Sequence, residues 1–255
     1  MDRYHGSFSK LLKIFVLLLS NYDYCNKFAR ILNSPDVKKL LVILLVLSNF
    51  SGVFAQSKLR LGVCIDPIAT WFSPKSGSIE KDGSRPGING GLVIESYFST
   101  NYGFVTGLTI TSLGGNLLYK DPVTVKTGES NAVDLTAGTT VAYSVSYLSL
   151  PVGLKLKSNE IGYFTYFAQI GLLPQFNIGS RANATGGQLS KDNVSEEINL
   201  INLSYSFGGG IEYSLGGQTS LMAGFFFNNG FSDVLSNNDY KSAINFLTLR
   251  IGMLF

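Results

Sequence analysis

The stretch Leu247-Thr248-Leu249-Arg250-Ile251-Gly252-Met253-Leu254-Phe255 sets Leu247, Leu249, Ile251, Met253 and Phe255 on one face. Thr248, Arg250 and Gly252 alternate with them, which is the period-2 pattern of a β-strand. An apolar strand edge left unpaired is an aggregation hazard in water. A strand with one face toward lipid, closing edge-on against the first strand of a barrel, has no such liability. The expectation is therefore an all-β outer-membrane barrel in which Phe255 faces lipid, Arg250 points inward and the last strand pairs with the first.

Working outward from that strand, the same alternation recurs. Strands are predicted over 58–71, 88–98, 102–112, 141–157, 163–178, 198–213, 218–227 and 243–255. The clearest stripe is Leu148, Leu150, Val152, Leu154 and Leu156; another is Phe164, Tyr166, Ala168, Ile170, Leu172 and Phe176. The joins alternate long and short. Residues 73–87, 114–140, 179–197 and 228–242 are long and polar, whereas Ser99–Asn101, Ser158–Glu160 and Gly216–Gly217 are tight turns. This predicts an eight-stranded antiparallel up-and-down transmembrane β-barrel with long extracellular loops and short periplasmic turns. The rival is a soluble barrel of lipocalin type, which turns its apolar face inward. It fits less well, because the non-apolar face is rich in Gly, Ser, Thr and Asn and poor in charge. Pro151 and Pro174 fall inside strands, where each deletes a ladder donor, and bulges are expected there.

Composition agrees. Glycine is abundant (28), aromatics reach 13% and charged residues only 15%. Mean hydropathy is +0.21, yet past residue 55 no apolar run approaches the ~18–20 residues of a spanning helix. The net charge of +3 belongs to the first 55 residues, which hold seven Lys/Arg and three Asp/Glu; residues 56–255 carry −1. Nothing here favours nucleic acid as a partner. Lys38–Lys39, the apolar Leu40–Leu47 and Val53-Phe54-Ala55 before Gln56 read as a secretory signal cleaved after Ala55. A helical anchor is the alternative. Residues 1–55 are expected to be a leader that is removed, the part upstream of the signal reflecting either a start assigned too early or an unusually long leader. Residues 56–255 form the barrel. Cys64, alone in that part, has no disulfide partner.

The barrel segment contains no histidine, His5 lying in the leader. No catalytic, cofactor-binding or metal-binding residue is predicted. Asp233, Asp239 and the neighbouring asparagines suit turn chemistry better than calcium. The sequons at Asn183 and Asn193 carry little weight in a bacterial envelope protein. Four ionisable residues stand out instead: Arg60, Glu95, Glu212 and Arg250 each lie opposite the apolar stripe of their strand. They should meet in the lumen as one Arg–Glu network, because an unpaired buried charge is costly. Such a network is either a plug, which the narrow bore of eight strands favours, or an ion or proton path. Trp71, Tyr97, Tyr102, Tyr119, Tyr143, Tyr163 and Tyr213 are expected in the interfacial girdles.

The segment Tyr147-Leu148-Ser149-Leu150-Pro151-Val152-Gly153-Leu154-Lys155-Leu156-Lys157 resembles the tyrosine-leucine-x-hydrophobic-proline strand of PorT-like outer-membrane β-barrel proteins of the Bacteroidota. Arg60-Leu61-Gly62-Val63, Gly90-Gly91-Leu92 and Phe207-Gly208-Gly209-Gly210-Ile211-Glu212-Tyr213 are similar in style. The resemblance implies an eight-stranded outer-membrane barrel and brings no catalytic residues. The expected function is a non-enzymatic structural or accessory subunit of an envelope complex, secretion-related by that resemblance, whose partners are outer-membrane lipid and another envelope protein. The alternatives are a surface-exposed binding or adhesion barrel and a small channel.

Overall fold

The computed structural model describes residues 58–128, 132–186, 189–237 and 239–255, so the expected leader lies outside the described residues. The elements in chain order are β1 (Lys58–Pro74), β2 (Ile79–Lys81), β3 (Ser84–Tyr97), β4 (Tyr102–Tyr119), β5 (Val123–Lys126), β6 (Ala132–Leu135), β7 (Thr139–Ser149), β8 (Val152–Lys157), β9 (Phe164–Ala184), β10 (Ser190–Asn193), β11 (Ile201–Gly216), β12 (Thr219–Gly230) and β13 (Ser242–Leu254). β7 and β8 act as one strand, since both pair with β4 on one side and β9 on the other. The ring runs β1, β3, β4, β7/β8, β9, β11, β12, β13 and back to β1, every contact antiparallel. It is an eight-stranded up-and-down barrel. Closure continues to the last residue, as Leu61 and Phe255 exchange N–H···O bonds of 3.1 and 2.7 Å.

Two ends differ in height. At one, tight turns join β3 to β4, β8 to β9 and β11 to β12. At the other, β4 and β9 rise well past their expected ends, and β2, β10 and the β5–β6 hairpin join them there. Strand β4 shows why these extensions read as loop. From Tyr102 to Ile110 its exposed face is Tyr102, Phe104, Leu108 and Ile110, over the roughly 9–11 residues that cross a hydrocarbon layer. Beyond that point the apolar residues change sides. Leu113, Leu117 and Tyr119 turn inward and are buried, while Ser112 and Asn116 face out. β7 does the same, with Val141, Tyr143, Val145 and Tyr147 inward. In β9 a bulge changes the parity: Ser146 pairs with Gly179 but Tyr147 with Asn177, so Ile178 faces out while Ala182 and Ala184 face in. Apolar-out below and apolar-in above place the lipid boundary between the two zones.

The tall end consequently has a hydrophobic core of its own, centred on Phe72, Leu117, Val141, Tyr143, Val145, Val194, Val234 and Ile244, all essentially inaccessible. Tyr119 and Tyr143 share a 2.8 Å hydroxyl contact within it. Burial pushes the Tyr119 phenol up to about 12, so this pair stays neutral. Tyr119 and Tyr143 are thus core residues rather than girdle residues, and Tyr97 turns into the lumen; Tyr102, Tyr163 and Tyr213 do stand exposed at the short-turn end.

The prolines do not mark bulges. The register of β7/β8 is unbroken across Pro151, with Ser149 opposite Gln175 and Val152 opposite Leu172. Pro174 pairs in register with Leu203. Each simply omits one ladder bond, and Leu150 N–H still reaches the Pro174 carbonyl at 2.9 Å.

Inward glycines make room for rings in the embedded part. Gly210 lies between Phe167 and Gly224 on the adjacent strands, and a Cβ there would run into the Ala223 carbonyl and the Gly224 Cα. Small residues facing large ones are how narrow barrels fill their taper. Gly210→Val is therefore expected to cost about 1–3 kcal/mol through overpacking, read as a lower urea midpoint of the barrel in lipid vesicles. An unchanged midpoint would show that the wall relaxes freely there.

Candidate functional site: the lumen

Strand alternation delivers Arg60 (β1), Glu95 and Tyr97 (β3), Lys155 (β8) and Glu212 (β11) to one level near the short-turn end. Arg60 and Glu95 are direct cross-strand neighbours. The guanidinium nevertheless crosses the lumen to Glu212, Nη1 to Oε2 at 2.7 Å, and donates to Ser220 Oγ at 2.5 Å. Lys155 sits at the centre, its side chain fully buried, with Nζ 2.5 Å from both Glu95 Oε1 and Glu212 Oε1. Tyr97 donates to the remaining oxygen of Glu95 at 2.6 Å. Every oxygen of both carboxylates thereby accepts a bond, and five strands are tied across the bore. Charges this deep persist only when partnered on all sides.

Arg250 does not join this cluster. The register carries β13 past β1 so that Ile65 faces Ile251 and Ile68 faces Thr248, which sets Arg250 beside Asp66. Arg250 Nε lies 3.3 Å from Asp66 Oδ2, and its guanidinium stacks 4.5 Å from the Phe226 ring centre. The single network expected for Arg60, Glu95, Glu212 and Arg250 is therefore two: strand stagger puts Arg250 on a higher level than Arg60, out of reach of either glutamate. Lys155 and Asp66 are the functional-looking residues that the sequence reading missed. Both carry the same signal as the others, Lys155 alternating with Leu154 and Leu156, and Asp66 following the Leu59–Ile65 stripe on its opposite face.

From Asp66 a belt of hydrogen bonds passes around the bore. Asn89 donates to Asp66 (2.7 Å), Thr111 to Asn89 (2.8 Å), and Thr111 and Ser149 share a 2.8 Å contact. Gln175 donates to Ser149 (3.0 Å), Asn202 to Gln175 (2.9 Å) and Ser232 to Asn202 (2.7 Å). A cavity of about 30 Å³ adjoins the belt, lined in part by Asn89, Thr109, Thr111, Asn228, Thr248 and Arg250. That is room for a bridging water or two among polar partners. Between belt and ion cluster lies an apolar layer of Cys64, Val93, Val105, Phe167, Met222, Phe226 and Leu254. Reading from the short-turn end, the bore is thus closed by ion pairs, packed side chains, a polar belt and then the tall-end core.

Below the ion cluster the short-turn mouth opens into a cup of about 590 Å³. Leu59 and Phe98 form its lip, and Arg60, Glu212, Lys157, Glu160 and several hydroxyls line it. At the tall end, Asp233 pairs with Lys75 at 2.8 Å and the Asp239 amide is capped by Asn237. Phe255, about half exposed, follows β13 on the lipid side of the wall.

A closed antiparallel ring with an apolar outer band and a filled polar bore defines a transmembrane β-barrel. More specifically, the chain belongs to the family described as outer membrane protein beta-barrel domain, whose model matches residues 54–236. It is a protein of the bacterial outer membrane. Among solved structures it is similar to Neisserial surface protein A, with 16% identity over 76% of this chain and 95% of that chain and a TM-score of 0.42. It is also similar to Ail, the attachment invasion locus protein of Yersinia pestis, in complex with the heparin analogue sucrose octasulfate (14% identity, 78% and 99% coverage, TM-score 0.38). OprG of Pseudomonas aeruginosa gives 11% identity, 76% and 95% coverage and a TM-score of 0.36. A comparison with curated proteins finds no match.

Proposed function

We propose that this chain is a non-enzymatic, non-conducting outer-membrane barrel that works through its surfaces, as a structural or accessory subunit of an envelope complex. The observation that carries this reading is the filled bore: the Lys155-centred ion cluster, the Asp66–Ser232 belt and the tall-end core stand in series. A pore has use for none of these layers. The proline-bearing strand through Tyr147–Lys157, on which the PorT-like and Bacteroidota resemblance rests, supports a secretion-related complex. Residues 1–55 are inferred to be a leader cleaved after Ala55.

The second reading, a surface-binding or adhesion barrel, draws support from the tall end, whose packed core holds the outward segments in fixed places. Two measurements test these readings. In planar bilayers the protein is expected to give no steps above baseline, and regular single-channel steps would overturn the non-conducting reading. Gentle detergent extraction should yield the barrel in a larger assembly. Recovery as a free barrel, together with cell-surface binding lost on deletion of residues 120–138, would favour the adhesion reading instead.

A further inference from the structure

The cup at the short-turn mouth holds a cation that the ion cluster does not use. Three cations face this end of the bore: Arg60, Lys155 and Lys157. Two carboxylates, Glu95 and Glu212, lie among them, with each of their oxygens already bonded by Arg60, Lys155 or Tyr97, and a third, Glu160, stands apart at the rim. Lys157 is left over. Its ammonium stands 4.0 Å from the centre of the Tyr97 ring and makes no ion pair among the described residues. Position, not chance, keeps it inside: Lys157 alternates with Leu154 and Leu156, which face lipid, so its stem cannot swing outward without unpairing β8.

Around Lys157 the cup is built for a polar guest. Thr165, Ser214 and Ser220 present hydroxyls from the walls, and Leu59 and Phe98 form the lip. Its volume of about 590 Å³ falls within the roughly 300–1,000 Å³ of small-molecule sites. Glu160, on the β8–β9 turn, is exposed at the rim without an ion-pair partner among the described residues, and it disfavours highly charged anions there. Short turns of outer-membrane barrels lie on the periplasmic side, so the cup draws on periplasmic solutes.

We propose that this cup is a binding site for a small hydroxylated oxyanion, with its carboxylate or phosphate on the Lys157 ammonium and its hydroxyls on Thr165, Ser214 and Ser220. The ammonium is a compact point charge whose three donors take either oxyanion, while the hydroxyl walls select polyols over apolar acids. The site stands whether or not the barrel belongs to a complex.

The test is an amide chemical-shift titration of the full barrel in detergent micelles with galacturonate, glucose 6-phosphate and neutral galactose. Saturable shifts at Thr165, Ser214 and Ser220 are expected with galacturonate or glucose 6-phosphate and not with galactose; the tighter of the two identifies the oxyanion. Lys157→Met should weaken binding by roughly tenfold or more, the scale of one lost charge-assisted contact, and Lys157→Arg should restore most of it. Unchanged heat-modifiable gel migration of Lys157→Met confirms that its barrel is folded. No saturable shift up to tens of millimolar, equal shifts with galactose, or unaltered binding by Lys157→Met would overturn the proposal.

Discussion

Lys155→Met is expected to be the most damaging single substitution in the embedded half of the barrel. The ammonium is wholly buried and, among the described residues, is the only group that touches both Glu95 and Glu212, at 2.5 Å from each. Methionine, one heavy atom shorter, keeps most of the apolar stem near Phe167, whose ring the ammonium faces at 4.4 Å. What it removes is the charge. Glu95 keeps only the Tyr97 hydroxyl and Glu212 only Arg60, and two buried carboxylates then face each other without the cation between them. Removing one partner of a buried ion pair typically costs about 3–5 kcal/mol, because the other charge is stranded. The urea midpoint of the barrel in lipid vesicles should fall accordingly, and the folded band on an unheated gel should weaken.

A second change separates charge from packing. Lys155→Met with Glu95→Gln removes the stranded carboxylate and leaves Glu212 to Arg60, so more than half of the lost stability should return. Failure of the double variant to recover would trace the loss to shape instead. A loss under about 1 kcal/mol for Lys155→Met alone would mean that the cluster is hydrated like a surface pair, and the bore would then not be sealed at this level.

The ring itself was legible in the sequence, because period-2 alternation needs no knowledge of neighbours. Leu247 through Phe255 show it, and β13 does close on β1. The inward placement of Arg60, Glu95 and Glu212 follows from the same parity. Their partners were not legible. Arg60 is the lateral neighbour of Glu95 yet bonds Glu212 across the bore, and Arg250 lies a level above both. Stagger and strand tilt decide those pairings, and no single strand states them. The tall end was hidden for a different reason. Gly114 and Asn116 look like the start of a polar loop if apolar residues are expected on the outer face. They continue β4 once Leu113, Leu117 and Tyr119 are seen to point inward. The membrane and soluble-barrel readings therefore each describe one half of the same strands. Below the boundary lipid covers the apolar face, and above it the chain must cover that face itself.

That division makes Phe72→Ala the sharpest probe of the tall end. Phe72 is completely buried, edge-on to Tyr143 with ring centres 5.8 Å apart and planes at 84°. Its ring lies against Gly115, where a Cβ would come within 2.5 Å of it. Truncating a buried phenylalanine typically costs about 3–5 kcal/mol, since the lost burial is compounded by the cavity left behind. The ladder of β1 with β13 resists collapse into that space, because Phe72 pairs with Ile244 in a register that runs unbroken from Ile68 to Pro74. The damage should be local. Lipid still holds the lower ring, so heat-modifiable migration should persist, while the core above the boundary opens as a unit of its own. Proteinase K added to intact cells should then cut within 120–138 or 185–200 of Phe72→Ala and spare the parent protein. An outward control such as Leu61→Ala, which leaves the tall-end core untouched, should remain resistant. If Phe72→Ala resists the protease equally well, the tall end does not depend on its core, and its outward segments are held in place by the strand ladders alone.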